Sequence, residues 1–138
     1  MSRDDDVLRP IGRVESPLRH REEAPKQGDE GAPEAWLVFE EAVADGLRGL
    51  EPGADLLVLT WLDRARRETL VVHPRGDRSR SPTGVFGTRS PDRPNPIGLH
   101  RVTILAIDGL RLRVSDLEAL DGTPILDVKP TLGPVSER

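Results

Sequence analysis

Glycine and proline limit what this chain can fold into more than any other sequence feature. Thirteen glycines and thirteen prolines are spread through its 138 residues, so almost one residue in five disfavours the interior of a helix. A helical bundle is therefore disfavoured. A chain of this length forms one domain, which buries roughly two-thirds of its extended surface. With two Trp, two Phe and no Tyr, the core of that domain must be aliphatic.

The apolar residues fall in short segments bounded by glycine and proline, a pattern typical of β-strands. Leu56 to Leu62 is apolar except for Thr60 and predicts a central strand. Asp108-Gly109 predicts a two-residue hairpin turn with positive φ at both positions. Further strands are predicted at residues 11–16, 35–39, 70–72, 84–88, 99–107, 110–114 and 125–128. The predicted fold class is all-β, a small single-domain β-barrel of six or seven strands.

One short helix and one long loop complete the predicted fold. The apolar spacing from Ala42 to Leu47, followed by glycine, predicts the helix. Residues 17–33 are rich in proline, glycine and charge and have no apolar period, so they predict a long loop, which in a compact domain is usually functional or mobile. We expect the barrel to span residues 10–131, between flexible ends at 1–9 and 132–138.

The sequence lacks the residues or motifs that several functional classes require. The chain has no cysteine, which excludes disulfides, thiolate zinc sites and iron–sulfur clusters. Its three histidines are not at metal-ligand spacing, so we expect no metal. Neither a Gly-x-Gly-x-x-Gly nor a Walker motif occurs, which disfavours the common dehydrogenase and methyltransferase architectures. No apolar run approaches the ~18 residues that cross a bilayer, so we expect a cytoplasmic protein with no membrane partner.

The basic residues are concentrated in the middle of the chain. The net charge is −4, but residues 64–101 hold nine arginines against three acidic residues, a local charge of +6. We call this segment the arginine island. Arginine suits bidentate contacts to phosphate, so the island indicates an anionic partner such as a nucleic acid. An arginine-rich surface composition explains the same pattern equally well.

Residues 84–99, GVFGTRSPDRPNPIGL, form the most distinctive segment of the chain. Their three prolines predict a rigid turn after a strand, and we expect Arg89, Arg93 and Asn95 to project outward from it. Side chains presented on a rigid support are suited to recognition. An ordinary proline-rich connection between two strands is the alternative.

Two further segments carry residues capable of chemistry. In residues 120–130, LDGTPILDVKP, a glycine turn precedes a strand on which Asp127 and Lys129 share one face. The two form a buried ion pair if that face points inward, and are site residues if it lines a cleft. The third segment, Pro25-Lys26-Gln27, lies in the long loop.

These three segments, in this order, resemble the tRNA threonylcarbamoyladenosine N6-methyltransferase family. The resemblance also includes Ile11-Gly12, Ser16-Pro17, Gly46 to Leu50 and Thr60-Trp61, and so covers nearly the whole folded region. It implies a compact β-barrel that forms a homodimer. It also implies a methyltransferase that uses S-adenosylmethionine and modifies the anticodon loop of tRNA.

The resemblance implies a cofactor site between the long loop and the Arg-Ser-Pro turn. Pro25, Lys26 and Gln27 would contact the cofactor, and Arg89 would orient the cofactor or the substrate. The main chain near Leu99 would help to form the pocket. The residues that would close the pocket are Asp121, Gly122, Thr123 and Pro124.

The substrate that the resemblance implies requires an RNA-binding surface and a general base on the protein. The anticodon loop would dock on the arginine island, where the candidate RNA-binding residues are Arg75, Arg78, Arg80 and Arg93. A carbamoyl-substituted adenine nitrogen must lose its proton as the methyl group arrives, so a carboxylate is expected nearby. Asp121 and Asp127 are the candidate catalytic residues.

The chain departs from the family pattern at three positions within these segments and their surroundings. Lys26 stands where many relatives have arginine, Asp63 where they commonly have histidine, and Asp92 where they commonly have an aromatic residue. Two other functions fit the same barrel. One is a methyltransferase for a small molecule, and the other is a non-catalytic module that binds S-adenosylmethionine or a nucleotide.

Overall fold

The computed structural model describes residues 6–132 and contains eight strands in that part of the chain. They are β1 (Gly12–Glu15), β2 (Ala35–Phe39), β3 (Asp55–Trp61), β4 (Val71–Val72), β5 (Thr83–Gly84), β6 (Ile97–Asp108), β7 (Arg111–Val114) and β8 (Pro124–Pro130). All of them lie inside the predicted domain of residues 10–131. The predicted flexible ends include residues 1–5 and 133–138, which lie outside the described residues, and the two ends stay predictions.

Six strands form a closed barrel in the order β1-β2-β7-β6-β3-β8, with every neighbouring pair antiparallel. The predicted all-β barrel is confirmed. β1 closes it, because Gly12 lies opposite Phe39 of β2 on one side and opposite Ile125 of β8 on the other. β4 and β5 form a separate two-stranded sheet.

Aliphatic side chains fill the barrel, as the composition predicts. They alternate along the strands, so that β3 buries Leu56, Val58 and Thr60 while β6 buries Val102 and Ile104. The other strands and the segment before β8 complete the core with Val14, Ala35, Leu37, Phe39, Leu112, Val114, Leu117, Ala119 and Ile125. Thr60 is thus a polar residue on an otherwise apolar inward face.

The helical segments in residues 6–132 are all short 3₁₀ turns. The helix predicted from Ala42 to Leu47 is present as a 3₁₀ helix, Glu41–Leu47, whose Val43 and Leu47 pack against one end of the core. The long loop contains two more turns, Arg21–Glu23 and Gly28–Glu30, and the connection from β3 to β6 contains Pro74–Gly76 and Val85–Gly87. No helix in residues 6–132 has the length and apolar character needed to span a membrane.

Two local predictions were wrong. Asp108 pairs with Arg111, so the hairpin loop consists of Gly109 and Leu110, and the positive φ of 59° occurs at Gly109 while Asp108 stays in the strand. The strand predicted at 84–88 ends at Gly84, where the chain turns into the 3₁₀ segment Val85–Gly87. Both errors follow from turns that begin one or more residues away from the expected position.

Three connections leave the barrel at the same end. Residues 16–34 join β1 to β2, residues 62–96 join β3 to β6, and residues 115–123 join β7 to β8. Because neighbouring strands are antiparallel, β1, β3 and β7 all run toward that end. The 3₁₀ helix Glu41–Leu47 lies at the opposite end, in the connection from β2 to β3.

Gly12→Ala should open the barrel where β1 closes it. A Cβ on Gly12 would lie 2.3 Å from the carbonyl oxygen of Val38, whereas a Cβ on Gly46 would meet nothing within 4 Å. We expect Gly12→Ala to lower the free energy of unfolding by about 1–3 kcal/mol, the usual cost of overpacking. Gly46→Ala should change it by less than about 1 kcal/mol. Urea denaturation followed by circular dichroism measures both, and equal stability would contradict the role given to Gly12.

Candidate functional site

A pocket of about 750 Å³ lies where the three connections meet. Its walls come from the long loop, from the proline-rich turn after β5 and from the segment before β8, and its floor includes Gly98 and His100 of β6. Apolar side chains of Leu62, Ile97 and Leu99 also line it. A volume of this size lies within the usual range for small-molecule sites.

The long loop is held against the segment before β8 at Gly28. A Cβ at this position would lie 2.0 Å from the carbonyl oxygen of Asp116, so only glycine allows the long loop to come this close to the segment before β8. The N–H of Asp121 adds a 2.7 Å hydrogen bond to the carbonyl of Leu18. These contacts fix the loop that carries Pro25, Lys26 and Gln27 along the pocket.

The proline-rich turn is held by Arg93. Its Nε donates to the carbonyl of Ser90 at 2.8 Å, and its Nη2 donates to the carbonyls of Val85 and Thr88. The expectation that Arg93 projects outward was wrong, because its guanidinium folds back onto its own turn. Asn95 is also engaged, since its Oδ1 accepts a 3.1 Å hydrogen bond from Arg67.

Asp92 connects the proline-rich turn to the long loop and to the segment that follows β3. Its carboxylate accepts a hydrogen bond from the backbone N–H of Arg66 at 2.8 Å and pairs with the Arg21 guanidinium at 3.1 Å. Burial by itself raises the pKa of this carboxyl, but the Arg66 N–H and the Arg21 guanidinium together lower the pKa below its usual value. Asp92 therefore stays ionised at neutral pH and keeps both contacts.

Six of the expected cofactor residues line the pocket. They are Pro25, Lys26, Gln27, Arg89, Leu99 and Thr123. The Lys26 and Arg89 side chains are exposed, and within residues 6–132 neither forms an ion pair or a side-chain hydrogen bond. They supply two positive charges to the pocket that no protein carboxylate in this part of the chain neutralises.

Three other expected cofactor residues lie outside the pocket lining. The Asp121 carboxylate caps the end of β1 by accepting a 3.0 Å hydrogen bond from the N–H of Ser16. Gly122 has a φ of 83° and its carbonyl accepts from Arg13, and Pro124 is buried in β8. The segment thus contributes Thr123 to the pocket and otherwise joins β1 to β8.

Asp127 and Lys129 form neither of the two expected arrangements. Their side chains are about half exposed and form an ion pair at 3.2 Å on the outside of the barrel. Asp127 also accepts a hydrogen bond from the N–H of Val128. Since neither residue lines the pocket, the pair is left outside the candidate site.

Three of the candidate RNA-binding arginines of the island are exposed, and two of these form local ion pairs. Arg75 pairs with Glu30 of the long loop, and Arg80 pairs with Asp77 at 3.7 Å. Arg78 is exposed between them. The pairing reduces the positive charge that these residues present, and surface pairs of this kind are weak enough for a phosphate to displace.

Sequence reasoning missed a chain of three polar side chains at the pocket floor. Thr60 Oγ1 lies 2.7 Å from His100 Nε2, and His100 Nδ1 lies 2.5 Å from Glu118 Oε1. Thr60 is fully buried, His100 is 4% exposed and the Glu118 side chain 15% exposed. Within residues 6–132, no group of three or more histidines and carboxylates is arranged to hold a metal ion.

The sequence profile of the tRNA-methyltransferase O N-terminal domain matches residues 13–135. The chain belongs to this family. An S-adenosyl-L-methionine-binding protein of Archaeoglobus fulgidus is 44% identical over 123 residues, which are 89% of this chain and 87% of that protein. A probable S-adenosyl-L-methionine-binding protein of Methanothermobacter thermautotrophicus is 45% identical over 123 residues, 89% of this chain and 88% of its own length.

Solved structures share the architecture of this tRNA-methyltransferase O-type domain. A crystal structure of TrmO has a TM-score of 0.73 and 30% identity over 96% of this chain. A crystal structure of TrmO from Pseudomonas aeruginosa has a TM-score of 0.70 and 27% identity over the same share. This chain spans only 56% and 57% of those two chains. The similarity confirms the predicted family and the all-β fold.

Proposed function

We propose that this domain binds S-adenosylmethionine in the pocket at the end of the barrel and transfers its methyl group. The observation that carries the proposal is the meeting of the three segments, far apart in the sequence, around one cavity. The names of the two archaeal relatives support the cofactor, since both cover nearly the whole domain. When bound, S-adenosylmethionine supplies an electrophilic methyl group on a sulfonium.

The residues of the pocket fit this cofactor chemically. The ligand carries a carboxylate, an ammonium, a sulfonium and an adenine ring, so it needs apolar surface, a cation for its carboxylate and polar groups for its remaining atoms. Ile97 and Leu99 supply apolar surface, Lys26 and Arg89 supply cations, and Gln27 supplies a polar amide. These residues bind and orient the reactants, which alone supplies much of the rate of a methyl transfer.

Arg89→Ala should weaken S-adenosylmethionine binding about tenfold or more. Arg89 has no carboxylate partner among the described residues and lies on a turn that Arg93 already holds rigid, so its loss removes a charge-assisted hydrogen bond without unfolding the turn. Isothermal titration calorimetry gives the dissociation constants. Arg48→Ala, at an exposed site in the connection at the opposite end of the barrel, is the control and should bind as the parent does. If the Arg89 variant had the same dissociation constant as the parent, Arg89 would not bind the cofactor and the turn would serve only to connect the strands.

We further propose that the methyl acceptor is N6 of threonylcarbamoyladenosine in the anticodon loop of tRNA. The family to which the chain belongs supports a tRNA substrate, and the exposed arginines next to the pocket support an anionic one. Screening at physiological salt limits charge interactions to about 8 Å, so the net charge of −4 matters less to a docked loop than the local arginines.

The parent protein should transfer a methyl group from S-adenosylmethionine to tRNA that contains threonylcarbamoyladenosine. The same tRNA transcribed without the modification is the matched control and should accept none, because the acceptor nitrogen is then an ordinary exocyclic amine. Radiolabelled methyl transfer, followed by nucleoside analysis of the digested tRNA, measures both. Equal labelling of the two tRNAs would contradict the proposed acceptor.

A triple variant separates an RNA substrate from a small molecule on the same barrel. Arg75→Glu, Arg78→Glu and Arg80→Glu together reverse the charge of the exposed loop, so they should weaken tRNA binding and leave cofactor affinity unchanged. The parent should also bind tRNA with a negative slope of log affinity against log salt of a few units. A flat salt dependence, or normal tRNA methylation by the triple variant, would favour a small-molecule acceptor instead.

We also propose an oligomeric state and a cellular location for the protein. We propose a homodimer, and exposed apolar side chains beside the pocket support it: Phe86 is 80% exposed, next to Leu70 and Val71 at 59% and 60%. We propose a cytoplasmic location, which the tRNA substrate supports.

A further inference from the structure

The side chains of Thr60, His100 and Glu118 run without a break from the barrel interior to the pocket. Thr60 and His100 lie on the inward faces of β3 and β6, and Glu118 lies in the segment before β8. An ionised carboxylate can only accept, so His100 Nδ1 donates to Glu118 Oε1. A neutral His100 then accepts the Thr60 hydroxyl proton at Nε2.

This arrangement leaves one carboxylate oxygen of Glu118 available. Oε1 is held by His100, whereas Oε2 accepts no hydrogen bond from the part of the chain that the structure describes. Glu118 itself lines the pocket. The side chain is therefore fixed at Oε1, while Oε2, which a Cβ on Gly28 would approach to 3.0 Å, keeps its hydrogen-bonding capacity for a substrate proton.

The barrel interior leaves space for these three polar side chains where apolar side chains could otherwise pack. A Cβ on Gly98 would lie 2.5 Å from Thr60 Oγ1 and 2.7 Å from His100 Nε2, so only glycine at that position allows the Thr60–His100 hydrogen bond. Polar groups in a barrel interior are costly to bury, and apolar side chains would fill the same volume more cheaply. A role in the pocket explains why the interior carries them.

We propose that Glu118 is the proton acceptor of the methyl transfer, and that His100 and Thr60 are its positioning residues. The inference rests on the proposed methyltransferase function. The acceptor N–H bond breaks and its proton passes to Glu118 Oε2. The nitrogen electron pair forms the new N–CH₃ bond, and the departing sulfur keeps the electron pair of the broken S–CH₃ bond. The proton then leaves Glu118 for water at the pocket mouth.

The other carboxylates near the pocket are less suited to this role. Asp121 is engaged by the Ser16 N–H, and Asp127 pairs with Lys129 on the outside of the barrel. The remaining charged groups that line the pocket, besides the engaged Arg93, are Arg21, Glu22, Lys26, Asp63, Arg64 and Arg89. Glu22 and Asp63 are exposed, and within residues 6–132 no hydrogen bond or ion pair fixes either side chain.

Glu118→Gln keeps the shape of the side chain and removes the base. We expect the single-turnover rate of methyl transfer to tRNA that contains threonylcarbamoyladenosine to fall at least about 100-fold. The calorimetric dissociation constant for S-adenosylmethionine should change by less than about twofold. Glu51→Gln is the matched control, since it makes the same chemical change at an exposed position in the connection from β2 to β3, at the opposite end of the barrel, and it should keep the parent rate.

Two variants test the positioning residues. Thr60→Val keeps the volume and removes the hydroxyl, and His100→Asn keeps a donor near the place of Nδ1. We expect Thr60→Val to slow the transfer about tenfold with unchanged cofactor affinity, and His100→Asn to retain more activity than His100→Ala. In nuclear magnetic resonance spectra, the proton on His100 Nδ1 should resonate far downfield in the parent and move upfield in Glu118→Gln.

The outcomes separate this inference from the proposed function. A Glu118→Gln variant with the parent rate would overturn the inference and leave the methyltransferase standing. A variant that is slow only because it binds S-adenosylmethionine weakly would make Glu118 a binding residue and also overturn it. A parent that binds the cofactor but methylates neither the tRNA nor free threonylcarbamoyladenosine would overturn both.

Discussion

The pairing of β1 with both β2 and β8 is the contact on which the rest of the structure depends. It closes the barrel through a seam of only two residue pairs with β8, and Gly12 is the residue that allows the close approach of β2. Closure fixes the directions of β1, β3 and β7, and so gathers the three long connections at one end. The pocket exists because these connections, distant in the sequence, have to share that end.

Charged side chains at the pocket divide into those that hold the walls and those that stay available. Arg93 donates to three carbonyls of its own turn, and Asp92 contacts the backbone of Arg66 and the side chain of Arg21. Lys26 and Arg89 have no such partners among the described residues. Because the first pair already makes the turns rigid, the second pair is presented to a ligand with little further loss of backbone freedom.

The sequence predicted the barrel because its signals are local. Alternating apolar residues at β3 and β6, and glycine or proline at their ends, specify strands without reference to the rest of the chain. The position of the hairpin at Gly109 was missed by one residue, since the turn depends on the register of β6 against β7.

The site was predicted in part, for a similar reason. Pro25 to Gln27 and Arg89 line the pocket, and they were singled out because they stand in segments that resemble the family. The position of the Arg93 side chain depends on carbonyls that only the folded turn brings together. The chain of Thr60, His100 and Glu118 joins residues 40 and 18 positions apart. Its signal was present as polar residues on inward faces, but their contact depends on the register of β3 against β6.

The central claim is that the three connections form one binding site for S-adenosylmethionine. Titration of the ¹⁵N-labelled protein with S-adenosylhomocysteine, followed by amide chemical shifts, tests it most directly because it maps the site without any assumption about the acceptor. We expect shifts concentrated at residues 26–27, 88–90, 98–100 and 118–123. Shifts confined to the second cleft, beside Trp36 and Glu34, or no shifts at saturating ligand, would contradict it.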